Sequence, residues 1–187
     1  MEDITMLSMK KVSVMLQNRE LSPVDLVEEC LARIEKLQPE LNAFVYINAD
    51  EAREAAHIAE KEINAGNYKG KMHGIPIALK DLFYTKGIPT TAGSHILKDF
   101  VPNYNGTVVQ RLLDAGAILL GKTNTQEFAI GPTSEDSIFG PTHNPWNSKK
   151  IPGGSSGGSA AAIATGINHI QQNHYLMIGS LPDSFML

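Results

Sequence analysis

Between Gly74 and Asn124 an apolar run, a helical stretch and a second apolar run follow one another, and this alternation constrains the fold more than any other feature. "GIPIALKDLF" (Gly74 to Phe83) reads as a strand entered through a proline. "GTVVQRLLDAGAILLGKTN" reads as a helix, a stop at Gly116 and a strand "AILLG". Strands separated by helices favour a layered α/β domain, with helices on the faces of a sheet rich in parallel strands. The N-terminal third adds helices. In "SPVDLVEECLARIEKLQPELN", Ser22 is placed to cap, Pro23 suits the first helical position, and Asp25 is spaced to return a capping-box contact. Val27, Cys30, Leu31, Ile34 and Leu37 then recur at helical spacing, giving one apolar stripe that ends before Pro39. "AFVYI" (Ala43 to Ile47) predicts a strand and "ADEAREAAHIAEKEINAG" a helix stopped by Gly66.

Composition removes several function classes. A chain of 187 residues suffices for one domain with a real core and is short enough to be a piece of a larger one. With 16 Lys+Arg against 20 Asp+Glu, and no block of like charge, there is no electrostatic footprint for nucleic acid. Cys30 has no partner for an internal disulfide, and its apolar stripe makes it a core residue, since such surroundings raise a thiol pKa. The opening stretch "MEDITMLSMKKVSVMLQNRE" is too charged for a secretory signal, and runs such as "AAAIA" are too short for a membrane span. A cytoplasmic location and no membrane partner are expected. The histidines His57, His73, His95, His143, His169 and His174 fall in no nucleophile elbow and show no metal-ligand spacing. They read as surface or loop residues, and neither a metal nor a cofactor is expected.

The segment "IPGGSSGGSAAAIATG" (Ile151 to Gly166) concentrates glycine and serine before turning into alanine. Glycine permits close backbone approach and costs folding entropy, so such a cluster points to a site. Phosphate binding fits poorly, because the run holds no lysine and no strand leads into it with a GxGxxG pattern. Serine chemistry needs a base to take the hydroxyl proton. Lys80 ends the apolar stretch "IPIALK". A strand carrying it into a buried position would lower its pKa until the neutral amine serves as that base. A solvated lysine at a strand end fits the same spacing, since lysines are usually exposed.

Four blocks taken in order, "GIPIALKD" with "PTTAGS", "GKTNTQEFAIGPTSEDSIFGPTHNPWN" and "PGGSSGGSAAAIATG", resemble the amidase signature family. The similarity runs from about residue 8 to Gly166 and is most specific from Gly74 onward. It implies an α/β/α layered fold with a mixed central sheet, incomplete at the C-terminus, and hydrolysis of a small-molecule amide by a Ser, cis-Ser, Lys triad. Lys80 matches the family lysine, and Ser155 matches the serine whose preceding peptide bond is cis. In that scheme neutral lysine takes a proton from the bridging serine, which takes one from the nucleophile. Gly153, Gly154, Gly157 and Gly158 would let the backbone turn sharply and approach the lysine. Ser156 either supports the site or caps the following helix, and Ser159 reads as the cap of a helix starting near it. Ile130 and Gly131, in "FAIGP", resemble the segment that lines the acyl pocket, although a helix start followed by a turn explains them equally well.

The sequence also departs from the family pattern. The family nucleophile lies in a motif like D-T-G-G-S, and no such motif stands near Gly179, where Ser180 is the nearest serine. Residues 1–166 are therefore read as the N-terminal part of an amidase domain and 167–187 as a non-family tail. The chain as given is expected to be poorly stable alone and inactive in amide cleavage. General amidases rank first among its relatives. The glutamine-amidase subunit of a tRNA-dependent amidotransferase ranks second, and a non-catalytic partner-binding half domain third.

Overall fold

The structure, a computed structural model, describes residues 3–167. Within them the order is α1 (Met9–Gln17), α2 (Pro23–Leu41), β1 (Phe44–Ile47), α3 (Ala49–Asn64), β2 (Pro76–Lys80), α4 (Thr107–Asp114), β3 (Ile118–Thr123) and α5 (Gly157–Ala164). His169, His174, Gly179 and Ser180 lie outside the described residues. Ile167, the first residue of the expected tail, is buried in the core beside α2 and α5.

The three strands form a mixed sheet in the order β1-β3-β2, with β1 antiparallel and β2 parallel to β3. Pro76 opens β2 on the sheet edge, where its missing N–H interrupts no ladder. Strand residues alternate between two cores. Ile77, Leu79 and Leu119 join Val12, Leu16 and Val109 from α1 and α4. Ala78, Ile118 and Leu120 join Val27, Cys30, Ile34, Ala52, Ala56 and Ala161 from α2, α3 and α5. Each fully buried Leu or Ile contributes roughly 2 kcal/mol through area removed from water. The sheet is thus covered on both faces, as helix–strand alternation requires. Cys30 lies in that second core, and burial pushes its thiol up to about 12.

Local signals explain most element ends. Ser22 Oγ accepts from the N–H groups of Val24 (3.0 Å) and Asp25 (3.3 Å), and its own proton goes to Glu60 on α3. Helix α2 does not stop at Pro39. It runs to Leu41, because a proline in the last turn forfeits one hydrogen bond while buried Leu41 and the left-handed Asn42 cap complete the end.

His73 is a loop residue, as expected, but it is fully buried. The 71–74 turn tucks under Gly116, where an added Cβ would lie 2.5 Å from the imidazole. Its Nδ1 accepts from Lys69 N–H (3.1 Å), so Nε2 carries the proton and donates to Glu62 (2.9 Å). Burial holds its pKa below the usual 6.5, so below that pH the unfolded chain binds a proton that the folded one refuses. Stability therefore falls on acidification through pH 6.5 and below. In urea titrations from pH 7 to pH 5, His73→Gln is expected to flatten this slope; an unchanged slope would contradict the assignment.

Candidate active site

Lys80 ends β2 because the chain turns there, with the N–H groups of Leu82 and Phe83 both directed at its carbonyl. The residue is 2% exposed, not the solvated strand-end lysine that spacing alone also allowed. Nζ donates to Ser155 Oγ at 2.6 Å across 75 positions of sequence. Burial pulls the Lys80 pKa down to about 8, near enough to neutrality for the free amine to be populated. The Gly154–Ser155 peptide bond is cis, and Ser155 is half-buried.

A second lysine stands close in sequence register, and a bulge keeps it off this face. Ile77 pairs with Leu119, but Ala78 pairs with Gly121, so β3 carries one extra residue. The shift sets Thr123 beside Lys80 and Lys122 beside Leu79. Without it the two ammonium groups would share a face. Gly121 is required at the bulge, since its φ is +158° and a Cβ would collide with the Tyr46 carbonyl oxygen. On the opposite face Lys122 donates to Phe83 O (2.8 Å) and Thr90 Oγ1 (2.9 Å) and lies 3.3 Å from Asp81. Asp81 also accepts from the Thr91 N–H and hydroxyl, tying the "PTTAGS" loop to the end of β2. Lys122 is thus a paired structural cation, whereas Lys80 meets a hydroxyl.

The glycine-serine run packs against several distant segments. A Cβ at Gly154 would lie 2.8 Å from Ser134 Oγ, and one at Gly157 would lie 2.5 Å from the same atom. One at Gly158 would overlap Ala43 O and lie 2.5 Å from Asn124 N. These glycines make room for the 132–134 segment and for the ends of β1 and β3. Gly153 meets nothing within 4 Å and instead takes φ +86°, the left-handed conformation that suits glycine. Helix α5 starts at Gly157, two residues before the expected cap. Ser156 is buried at the N-cap position and makes no capping bond through its side chain. Ser159 lies inside the first turn, its hydroxyl 2.7 Å from Thr123 Oγ1, so it docks the helix on the sheet rather than capping it.

Ile130 is 80% exposed. Gly131 lies against the Gln126 side chain with φ +140°. Among the described residues neither makes a hydrogen bond to Lys80 or Ser155. The preceding residues form a short 3-10 turn, Glu127–Ala129, rather than the start of an α-helix. Sequence reasoning missed Thr125, Gln126 and Ser134, whose donors converge on the Ser155 carbonyl. Small polar residues in a loop carry no periodic signal, so only the folded contact reveals them. Among the described residues no cluster of His, Cys, Asp and Glu is arranged to hold a metal ion, and no helix is long and apolar enough to cross a membrane.

Known proteins share this arrangement of chain. A glutamyl-tRNA(Gln) amidotransferase subunit of Acidothermus cellulolyticus is 47% identical over 164 residues, covering 88% of this chain and 32% of the relative. The corresponding subunit of Geobacter metallireducens is 53% identical over 149 residues, covering 80% and 30%. Among solved structures, a bacterial aryl acylamidase of the amidase signature family superposes with a TM-score of 0.81 at 37% identity, over 87% of this chain and 34% of that one. The corresponding Thermotoga maritima amidotransferase subunit gives 0.73 at 34% identity, over 90% and 34%. The chain spans about a third of the length of the curated relatives it matches. The Amidase family model matches residues 25–171, and the chain belongs to the amidase signature family.

Proposed function

We propose that this chain carries the proton-accepting half of an amide-cleaving site, with Lys80 as the base and Ser155 as the bridge. The observation that carries the reading is the 2.6 Å contact between a buried lysine of lowered pKa and a serine hydroxyl. Neutral Lys80 takes the Ser155 hydroxyl proton as Ser155 takes one from a nucleophilic serine supplied outside the described residues. That serine attacks the amide carbonyl. The relay then returns a proton to the leaving nitrogen, which departs as ammonia or an amine, and water releases the acyl group as the acid. The family resemblance, rather than any contact with the pair, extends the proposal to Ile130 and Gly131 on the acyl side and to Gly153, Gly154 and Ser156 around the bridge.

Glutamine as the amide donor is favoured by the curated relatives at 44% to 53% identity, which are glutamyl-tRNA(Gln) amidotransferase subunits of one kind. That reading brings with it a companion subunit. The family's general amidases, ranked first from sequence, remain the wider class to which the same chemistry applies. The test is ammonia release from glutamine and from simple carboxamides by the full-length gene product. Ser155→Ala is expected to lower kcat by about 100-fold or more, with the fold intact by circular dichroism. Turnover within about threefold of wild type would remove Ser155 from the relay.

A further inference from the structure

Ser155 sits in a stretch with little side-chain packing of its own. Gly153 and Gly154 precede it and Gly157 and Gly158 follow, so the bridge must be located by contacts from elsewhere. Those contacts converge on its carbonyl oxygen. Thr125 Oγ1 donates to it at 2.9 Å, the Gln126 N–H at 3.0 Å and Ser134 Oγ at 3.1 Å. Thr125 Oγ1 also lies 3.1 Å from the Gln126 carbonyl, so its single proton favours the nearer Ser155 oxygen. Ser134 Oγ in turn accepts the Gly157 N–H at 3.0 Å, so one hydroxyl grips the chain on both sides of Ser156.

The gripping residues are themselves fixed. Thr125 and Ser134 are fully buried and Gln126 nearly so. Ser134 adopts φ +60°, and its N–H donates to Gln126 Oε1 at 2.6 Å. Gln126 Oε1 also accepts from Thr133 Oγ1, and its Nε2 donates to Asp136 at 2.8 Å. A chain of polar contacts therefore runs from Asp136 through Gln126 and Ser134 to the Ser155 backbone, and from the Ser155 side chain to Lys80. A buried network in which each member is satisfied rigidifies what it holds.

We propose that Thr125 and Ser134 are positioning residues that hold Ser155 in register with Lys80 by clamping the Ser155 carbonyl oxygen. This rests on the reading of Lys80 and Ser155 as a relay, because a proton passes only while the two groups stay within hydrogen-bond distance. Neither residue touches the reacting atoms, so the expected signature is a loss in kcat without a loss in substrate affinity.

The experiment compares Thr125→Val, Thr125→Ser, Ser134→Ala and the Thr125→Val/Ser134→Ala pair in the full-length gene product, by crystal structure and by kcat and KM for amide cleavage. In the double variant the Lys80 Nζ to Ser155 Oγ separation is expected to open beyond about 3.5 Å. There kcat is expected to fall about 30-fold with KM within about twofold, and Thr125→Ser to keep both the contact and the rate. A contact that stays closed in the double variant overturns the clamp, as does Thr125→Ser impaired as severely as Thr125→Val, or a loss confined to KM. If the double variant does not fold, the two single variants carry the same comparison. If the wild type cleaves no amide, the relay reading fails on its own, and the separation in the variant structures still decides the clamp.

Discussion

Lys80→Met is expected to lower kcat for amide cleavage in the full-length gene product by about 1,000-fold, and Lys80→Arg to do no better. A positioned general base contributes roughly 100- to 10,000-fold, and in the proposed relay the lysine is the terminal proton acceptor. Arginine keeps the charge but does not release its proton at accessible pH, so a charge-preserving substitution removes the function as completely as an apolar one. The wild-type rate should rise with pH and level off above about 8, where Lys80 becomes neutral. Stability should rise with pH as well, over a higher range. A fall from 10.5 to about 8 corresponds to roughly 3 kcal/mol of burial penalty, present in full below pH 8 where both states hold the proton. Between pH 8 and 10.5 the folded state has released the proton and the unfolded state has not, so wild-type stability recovers as pH rises. Lys80→Met escapes the penalty and loses one hydrogen bond worth about 1 kcal/mol, leaving it more stable than wild type at pH 7 by about 2 kcal/mol. Parallel urea titrations should show the two stability curves meeting near pH 10 and crossing above it, where the wild type keeps its hydrogen bond and leads by about 1 kcal/mol; a variant less stable at neutral pH would contradict the burial argument.

Gly158→Ala is expected to be among the most damaging single-methyl additions. The new Cβ would meet only backbone, the Ala43 carbonyl on one side and the Asn124 peptide on the other. Neither neighbour is free to yield. Asn124 N–H donates to Ala43 O at 2.8 Å, and Asn124 O accepts from Gly158 N–H at 3.1 Å, so the three segments are bonded where the methyl would enter. Overpacking commonly costs 1–3 kcal/mol, and a purely backbone clash places this case at about 3 kcal/mol or above. Separating α5 from the sheet also carries Ser155 away from Lys80, so activity should fall with stability. Gly153→Ala is the contrasting variant, since nothing lies within 4 Å of it and only its left-handed backbone resists, at about 1 kcal/mol. Thermal melts of the two check the ranking, and equal losses would refute it.

The layered fold was readable because periodicity and punctuation are local. Ser22 with Pro23 announced α2, and Gly66 and Gly116 marked the turns after α3 and α4. What escaped depends on contacts between distant segments. The Gly121 bulge answers to the Tyr46 carbonyl, and the early start of α5 answers to Asn124 and Thr123, so neither leaves a trace in its own window. His73 read as an ordinary loop histidine because its burial comes from Gly116, 43 positions away. In the site, spacing alone favoured a solvated Lys80, and only the family resemblance paired it with Ser155. The glycines' further role, leaving room for Ser134, Ala43 and Asn124, was hidden for the same reason, since those atoms come from distant segments.

The most direct test of the central claim is the titration of Lys80 itself, followed through its 13Cε resonance in the folded protein and assigned by its absence in Lys80→Arg. A midpoint near 8 is the result required of a buried lysine poised to take the Ser155 proton. A midpoint above about 10, the value of an ordinary solvated lysine, would show that Lys80 stays charged at working pH and would contradict its role as the base.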